Sequence, residues 1–162
     1  MTTLNTEIIN IILEPKKEAL INGLLSVLNG KENSYVPEIA NPDFYEIWFY
    51  KSFDFKYIIL GAKNYVVEVS QKEDYNSLKE IVEKHNLSME LDEEKINSIL
   101  LELEFDFFSK CWTEVEHILN KKIRCFLIEN AILRGWDVNK EKIVDGEIIG
   151  DILNEEGITN NY

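Results

Sequence analysis

Glu114 and His117 have the Glu-x-x-His spacing that supplies one half of a carboxylate-bridged di-iron site in a helical bundle. A complete site of this kind requires a second such pair on another helix. The chain has one other histidine, His85, and the residue three positions before it is Val82. We therefore interpret Glu114 and His117 as polar residues on one face of a long helix, and the spacing predicts no metal site.

Three carboxylates alternate with apolar residues at Glu102, Glu104 and Asp106. In a β-strand this alternation would place them on one face, where their hard oxygen atoms could bind a divalent cation. In a helix the same residues would spread around the axis. Apolar residues at helical spacing run through the segment and favour the helix. The sequence therefore predicts no catalytic residue, no cofactor and no metal.

Cys111 and Cys125 are the two cysteines of the chain and do not form a Cys-x-x-Cys pair. A catalytic thiol needs a nearby base and a lowered pKa, and His117 lies off the helical face that carries Cys111. We predict that both cysteines are small, buried, apolar side chains. The first residues lack the basic start of a secretory signal, and no apolar run is long enough to span a bilayer, so we expect a cytoplasmic protein.

The overall charge restricts the class of partner. The chain has 30 acidic and 17 basic residues, which give a formal charge of −13. A field of this sign repels nucleic-acid phosphates and anionic lipids and favours encounter with basic proteins. Arginine, which is preferred for recognising phosphate and guanine, occurs only twice. We expect a basic protein as partner, with no nucleic acid and no membrane; the alternative is that the acidity serves solubility alone.

The N-terminal residues predict helices. Residues 3–13 have an apolar stripe typical of a short helix, although a strand is the alternative. Pro15 suits the first turn of a second helix that ends near Asn29, where Gly30 follows as a stop signal. Residues 31–42 are expected to form a loop.

Residues 44–70 change to aromatic and β-branched composition, which predicts a three-stranded antiparallel meander with turns at 52–54 and 61–64. On the first strand, alternation sends one set of side chains to each face. Tyr45, Ile47 and Phe49 point one way, and Glu46, Trp48 and Tyr50 point the other. Because both faces carry aromatic side chains, we expect both to be covered, one by helices and the other by further segments or by a partner.

The second half of the chain predicts more helix. Ser77 and Glu80 have the spacing of a capping box that would begin a short helix. A longer helix is expected from Asp92 to about Asn120, with a broad apolar stripe that includes Trp112 and implies a central, buried position.

The C-terminal residues give weaker signals. Residues 123–134 are compatible with helix or strand, and the glycines within 143–153 indicate a loose hairpin or two short edge strands. Residues 158–162 are expected to be a frayed tail. The predicted fold class is α+β in a single domain, 1–162, with helices over 1–30, the meander over 44–70, helices over 77–120 and mixed structure over 121–157.

Two groups of residues are candidates for binding a partner. Trp48 and Tyr50 are aromatic residues of the kind that anchor interfaces. A run with six acidic residues against one lysine, over 141–156, supplies the other group. Its candidate members are Glu147, Asp151, Glu155 and Glu156.

In its size, its acidity and its lack of catalytic motifs, the chain is similar to the immunity proteins of bacterial toxin systems, which neutralise a toxin by covering its active site. The similarity implies a non-enzymatic inhibitor of a basic partner, acting as a monomer or small homo-oligomer. The frequent Lys, Asn and Ile residues are typical of an AT-rich bacterial or phage genome. Two alternatives remain: a phage or mobile-element inhibitor that mimics the charge of nucleic acid, and an enzyme whose carboxylate-centred site lacks a recognisable signature.

Overall fold

The computed structural model describes residues 2–29, 44–59, 66–131 and 133–158. Within them, two helices, three strands, two helices, three strands and a last helix follow one another. The helices are α1 (Leu4–Ile8), α2 (Lys17–Leu28), α3 (Asp74–Lys84), α4 (Glu93–Leu119) and α5 (Ile149–Glu155). The strands are β1 (Phe44–Phe49), β2 (Lys56–Ile59), β3 (Val66–Glu68), β4 (Arg124–Glu129), β5 (Arg134–Asp137) and β6 (Lys142–Asp145). The predicted stop at Gly30, the loop 31–42, the turn 61–64 and the tail after residue 158 lie outside the described residues.

The strands form one six-stranded sheet in the order β3-β2-β1-β4-β5-β6. Strands β1 and β4 are parallel, and every other neighbouring pair is antiparallel. The α+β class is thus confirmed. The three strands over 44–70 do pair antiparallel, as predicted, but they are one half of a mixed sheet and not a separate meander. The other half of the sheet consists of β4, β5 and β6. The segment whose sequence was compatible with helix or strand contains β4 and the first residue of β5, and α3 and α4 connect the two halves.

The main core lies on one side of the sheet, which we call the inner face. Helices α1 to α4 pack there against inward side chains of the strands, including Tyr45, Ile47 and Phe49, as the alternation on β1 predicted. A second, smaller core lies on the opposite, outer face. It consists of Phe44, Phe126, Ile128, Val144, Ile149 and Leu153. Both faces of the central strands are therefore buried, which explains why β4 has an almost continuous apolar sequence.

Helix α4 confirms the predicted central helix and has close to the predicted length. It ends at Asn120, whose φ of 50° is the left-handed conformation that closes many helices. Trp112 is 1% exposed, stacks on Phe108 and donates its indole N–H to the Ile123 carbonyl over 3.1 Å. Cys111 on the same helix is buried and free, and so is Cys125 on β4, as predicted.

The N-terminal helix is also confirmed over the predicted residues, with a change of geometry along its length. A π-helical turn (Ile9–Leu13) and a 3-10 turn (Glu14–Lys16) join α1 to α2. Pro15 lies in the 3-10 turn directly before α2, at the point where the helical geometry changes.

The predicted capping box at Ser77 and Glu80 is wrong, because α3 begins three residues earlier, at Asp74. The Asp74 carboxylate accepts hydrogen bonds from the Gln71 N–H and from the Lys16 ammonium, each over 2.6 Å. These contacts turn the chain into the helix before it reaches Ser77.

The predicted hairpin over 143–153 is also wrong, because only β6 is extended there. Asp145 accepts a hydrogen bond from the Glu147 N–H over 2.9 Å, which starts a 3-10 turn (Gly146–Ile148) that leads into α5. Ile149 and Leu153, four residues apart, are then buried on one side of the helix. No helix among the described residues combines the length and the apolar character needed to cross a membrane.

Replacement of Trp112 by alanine tests the central position of α4. We expect the free energy of unfolding to fall by roughly 3–5 kcal/mol, because the change removes buried apolar area and leaves a cavity. Ile118→Ala, at an exposed position on the same helix, should change it by less than about 0.5 kcal/mol. Chemical denaturation of both variants is the measurement. Similar losses in the two variants would contradict the packing described for this helix.

Candidate functional site

The outer face of the sheet has one half covered by α5 and one half with exposed side chains. The strand registers place Trp48 of β1 beside Ile58 of β2, and Ile58 beside Val66 of β3. Trp48 and Ile58 are half-buried, and Val66 is 42% exposed. We call the row Trp48, Ile58 and Val66 the outer apolar row.

Helix α5 covers the other half of this face through the second core. Trp48 packs against the edge of that core, so the boundary between the covered and exposed halves runs along β1. Trp48 also donates its indole N–H to the Glu46 carboxylate over 3.3 Å. Burial raises the pKa of Glu46 above its ordinary value. Trp48 is thus fixed by packing against the second core and by its hydrogen bond to the partly buried Glu46 carboxyl.

Tyr50 follows the end of β1 and is 52% exposed. With Trp48, Ile58 and Asn130 it lines a hollow of about 280 Å³ on the outer face. The two aromatic residues singled out by the sequence therefore belong to one surface. Their surroundings differ, since Trp48 is partly fixed by packing and Tyr50 stands at the rim.

The acidic candidates lie on α5 and in the turn before it, on this same side of the sheet. Glu147, Asp151 and Glu155 are exposed and make no ion pair within the described part of the chain. Asp151 and Glu155 are four residues apart and share one side of α5. The structure thus places these three carboxylates and the aromatic pair on one side of the protein.

Glu156, the fourth acidic candidate, has a different environment. Its carboxylate accepts hydrogen bonds from the Arg124 guanidinium over 2.6 and 2.8 Å and from the Lys140 ammonium over 3.1 Å. The hydrogen bonds from Arg124 are the main reason that the pKa of Glu156 falls to about 2. Its charge is therefore largely compensated inside the protein.

Arg124 is the centre of this arrangement, which we call the Arg124 clasp. Both terminal nitrogens of its guanidinium bond the Asp137 carboxylate, with Nη2 2.8 Å from Oδ2. Asp137 is 0% exposed, and Nη1 also donates to the Asn139 side chain over 3.1 Å. The clasp joins β4 to the end of β5 and to the C-terminal end of α5. It therefore fixes the helix that borders the outer apolar row.

Glu104 is the most strongly perturbed acid on the inner face. It is 0% exposed and accepts hydrogen bonds from the Tyr57 hydroxyl over 2.9 Å and from the Phe53 N–H over 2.8 Å. Burial raises its pKa to about 8, so it is mostly protonated at neutral pH. Phe53 and Phe55 both have positive φ, 66° and 53°, and the Glu104 bond to Phe53 stabilises this uncommon backbone.

Glu104 has a structural role, because its carboxyl is closed off from solvent and both of its oxygens hold the connection between β1 and β2. The helical interpretation of the Glu102, Glu104 and Asp106 series is confirmed, since Glu102 and Asp106 are exposed on other sides of α4. Within the described residues, no group of three or more His, Cys, Asp or Glu side chains is arranged to hold a metal ion.

The Glu114 and His117 pair and the other histidine, His85, lie in different surroundings and form no common site. His117 and Glu114 are exposed near the end of α4, and Glu114 pairs with Lys17 over 3.3 Å. His85 instead contacts the buried carboxylate of Glu7, which also pairs with Lys84 over 2.5 Å.

The raised pKa of Glu104 leads us to expect that the free energy of unfolding is greatest at acidic pH. Because its folded pKa lies above the ordinary value of 4.5, the stability it contributes falls as pH rises from about 4.5 to about 8, by up to about 1.4 kcal/mol per pH unit. Glu7 and Glu156, each with a pKa near 2, act in the opposite sense, and their contribution is lost as pH falls from about 4.5 to about 2. Stability should therefore be greatest near pH 4.5–5.

Glu104→Gln isolates the alkaline side of this profile. Glutamine imitates the neutral acid, so the fall in unfolding free energy between pH 5 and 8 should become much shallower, as measured by urea denaturation at a series of pH values. Glu102→Gln, an exposed change on the same helix, is the control and should leave the profile unchanged. An unaltered slope in Glu104→Gln would contradict the buried neutral carboxyl.

Arg124→Met tests the clasp. The change leaves the buried Asp137 carboxylate without its guanidinium, and we expect a loss of about 3–5 kcal/mol of unfolding free energy. Arg134→Met, at the other arginine, should cost at most about 1 kcal/mol. Adding Asp137→Asn to Arg124→Met should recover part of the loss, and equal effects of the two arginine changes would argue against the clasp.

Comparison with known proteins gives no relative from which a role could be transferred. No family model, no curated protein and no solved structure matches this chain. The function must therefore be inferred from the outer face itself, where the candidate aromatic residues and the exposed acidic residues lie on the same side of the sheet.

Proposed function

We propose that this protein is a non-enzymatic binding module that inhibits a basic protein partner, in the manner of the immunity proteins of bacterial toxin systems. One observation carries the proposal: the outer apolar row and the exposed carboxylates of α5 share one face. Apolar anchors beside a charged border are the arrangement by which interfaces combine affinity with electrostatic selection.

The charge distribution favours a basic partner. The chain carries a formal charge of −13, and Glu147, Asp151 and Glu155 are exposed on the same side of the sheet as the apolar row, with no ion pair to another described residue. A field of this kind raises the association rate with a cationic surface and lowers it with an anionic one. The basic surfaces of proteins that act on nucleic acids are matched partners, and masking such a surface would inhibit them.

The aromatic residues would hold the complex after encounter. Trp48 is already half-buried against the second core, so little side-chain entropy remains to be lost when a partner covers it. Tyr50 is more exposed and would gain more buried area. Tryptophan and tyrosine in such positions are frequent hot spots of binding energy.

The buried, free thiols of Cys111 and Cys125 suit a reducing compartment. We propose that the site of action is the cytoplasm.

The test begins with the capture of the partner from the native cell on immobilised protein, followed by its purification and surface plasmon resonance at two salt concentrations. Neutralising Glu147, Asp151 and Glu155 together, as Gln, Asn and Gln, should lower the association rate and flatten its salt dependence, with little change in dissociation. Trp48→Ala should raise the dissociation rate and cost about 2 kcal/mol or more.

The matched control neutralises three exposed acids elsewhere, Glu80, Glu83 and Glu90, as glutamines. It removes the same net charge from a different surface and should affect association much less. Each variant is first shown to be folded by circular dichroism. An association rate that is indifferent to salt and to both sets of changes, with unchanged dissociation in Trp48→Ala, would reject the proposal.

A further inference from the structure

The sheet ends at β6, and the side of this strand that faces away from β5 is not paired with another described strand. We call this side the free edge. In an antiparallel pair, alternate residues direct their N–H and C=O groups toward the partner strand or away from it. The Gly146 N–H donates to the Leu133 carbonyl over 2.7 Å, one step beyond the register of β5 with β6. By this alternation, Val144 and Lys142 are the residues of β6 whose backbone groups bond β5.

The backbone groups of the intervening residues, Ile143 and Asp145, point toward the free edge. Asp145 is also the N-cap of the following 3-10 turn, and an N-cap carbonyl accepts the first bond of its helix. Three groups therefore remain at the edge: the N–H and C=O of Ile143 and the N–H of Asp145. None of the three is hydrogen-bonded to another described residue. An edge of this kind is the template on which an extended segment of another chain adds a strand.

The side chain of Ile143 offers an apolar contact beside these groups. It is 48% exposed and lies opposite Trp136 of β5 on the inner face. Trp136 is itself fixed, because its ring stacks on Phe105 with 5.3 Å between the ring centroids. The neighbouring Val144 points to the outer face, where it belongs to the second core. An added strand would therefore bury Ile143 between Trp136 and an apolar side chain of its own.

Negative charge surrounds the free edge. Exposed carboxylates lie before, within and after β6, at Glu141, Asp145 and Glu147, and Lys142 is the single base among residues 141–147. None of the three carboxylates forms an ion pair with another described residue. Glu147 also belongs to the acidic group of the proposed binding surface, so the edge is continuous with that surface. A cationic segment is therefore the one whose charge matches the edge.

A second copy of this chain matches the edge poorly. Two β6 edges that pair antiparallel through their outward residues would place Asp145 opposite Glu141, Ile143 or Asp145 of the other copy. The first and third registers set like charges directly opposite each other, which destabilises a strand pair. The second register sets a carboxylate against the apolar side chain that the edge would otherwise bury.

Resting on the proposed function, we infer that the free edge of β6 accepts an extended segment of the basic partner as a further antiparallel strand, with an apolar side chain opposite Ile143 and a basic side chain opposite Asp145. The three backbone groups at the edge would then be hydrogen-bonded to the added strand. Because that strand runs antiparallel to β6, its basic residue lies two positions before the apolar one. Main-chain bonds would supply affinity, and the two side chains would supply specificity.

The probe is a short acetylated peptide of threonine and serine whose centre reads lysine, threonine, valine and glutamate, the glutamate being placed opposite Lys142. It is titrated into isotope-labelled protein, and solvent exchange of the amides is measured by NMR. At about 90% saturation, exchange of the Ile143 and Asp145 N–H groups should slow by about fivefold or more, because both become hydrogen-bonded. The N–H groups of Lys142 and Val144 already bond β5 and should change by less than about twofold.

The matched control peptide carries an N-methyl group on the valine. It keeps every side chain but loses the N–H that would donate to the Ile143 carbonyl, and it should bind at least about tenfold more weakly. Ile143→Pro removes the N–H at the edge without breaking a bond to β5, and the original peptide should bind this variant at least about tenfold more weakly.

Two further variants test the side chains and remain informative if Ile143→Pro does not fold. Ile143→Thr keeps the backbone N–H and the β-branched shape, and should weaken peptide binding by about twofold to fivefold through lost apolar contact. Asp145→Asn can still cap the Glu147 N–H, and should weaken binding at low salt by about threefold. Glu80→Gln, an exposed change on α3 that removes the same charge, should alter the affinity by less than about twofold.

The strand addition and the proposed function can fail separately. Unchanged exchange of Ile143 and Asp145 at about 1 mM peptide, or equal binding of the N-methylated peptide, would overturn the strand addition. A concentration-dependent dimer in sedimentation analysis that is lost in Ile143→Thr would overturn it in favour of a second copy. A captured partner that binds Ile143→Pro and Ile143→Thr normally, yet still depends on Trp48 and the α5 carboxylates, overturns the strand addition and leaves the proposed function standing. Partner binding that ignores Trp48 and those carboxylates rejects the proposed function, whichever result the peptide gives.

Discussion

Strands β1 and β4 lie side by side at the centre of the sheet, and this parallel pair requires cover on both faces. The register runs from Phe44 opposite Arg124 to Phe49 opposite Glu129, and the side chains of β4 are buried alternately in the main core and in the second core. Parallel strands cannot be joined by a tight turn, so the chain returns through α3 and α4 on the inner face. Of the helices that the described residues form, α5 is the one that packs on the outer face, where Val66 of β3 stays exposed.

Two buried carboxyl groups stabilise the elements around this pair through different partners. Asp137 accepts a bidentate pair of hydrogen bonds from a guanidinium, whereas Glu104 accepts hydrogen bonds from uncharged donors and has a pKa raised to about 8. The first group secures α5 and thereby the acidic border of the outer face. The second secures the connection between β1 and β2, from which Tyr50 extends. The candidate surface is thus supported from both sides of the sheet.

The spacing of apolar residues along the chain was enough to predict the elements whose buried face repeats with a regular period. The apolar stripe of α4, the buried Trp112 and the two faces of β1 follow from spacing alone. The pairing of β1 with β4 had no such signal, because a strand buried on both faces loses its alternation. The Arg124 clasp joins residues 13 and 32 positions apart, and the bond from Phe53 to Glu104 spans 51, so neither is visible as a motif. Glu156 was therefore grouped with the exposed acids, although an arginine compensates its charge.

The order of strands also determines when the sheet can form during synthesis. β1, β2 and β3 leave the ribosome before α3 and α4, and β1 gains its central neighbour only after those helices and β4 have followed. Strand pairs that are far apart in sequence form slowly. Until β4 is made, the unpaired edge of β1 can form hydrogen bonds with strands of other chains. The high density of negative charge opposes such contacts between nascent chains. The acidity that we propose for encounter with a basic partner would therefore also oppose association between unfinished sheets.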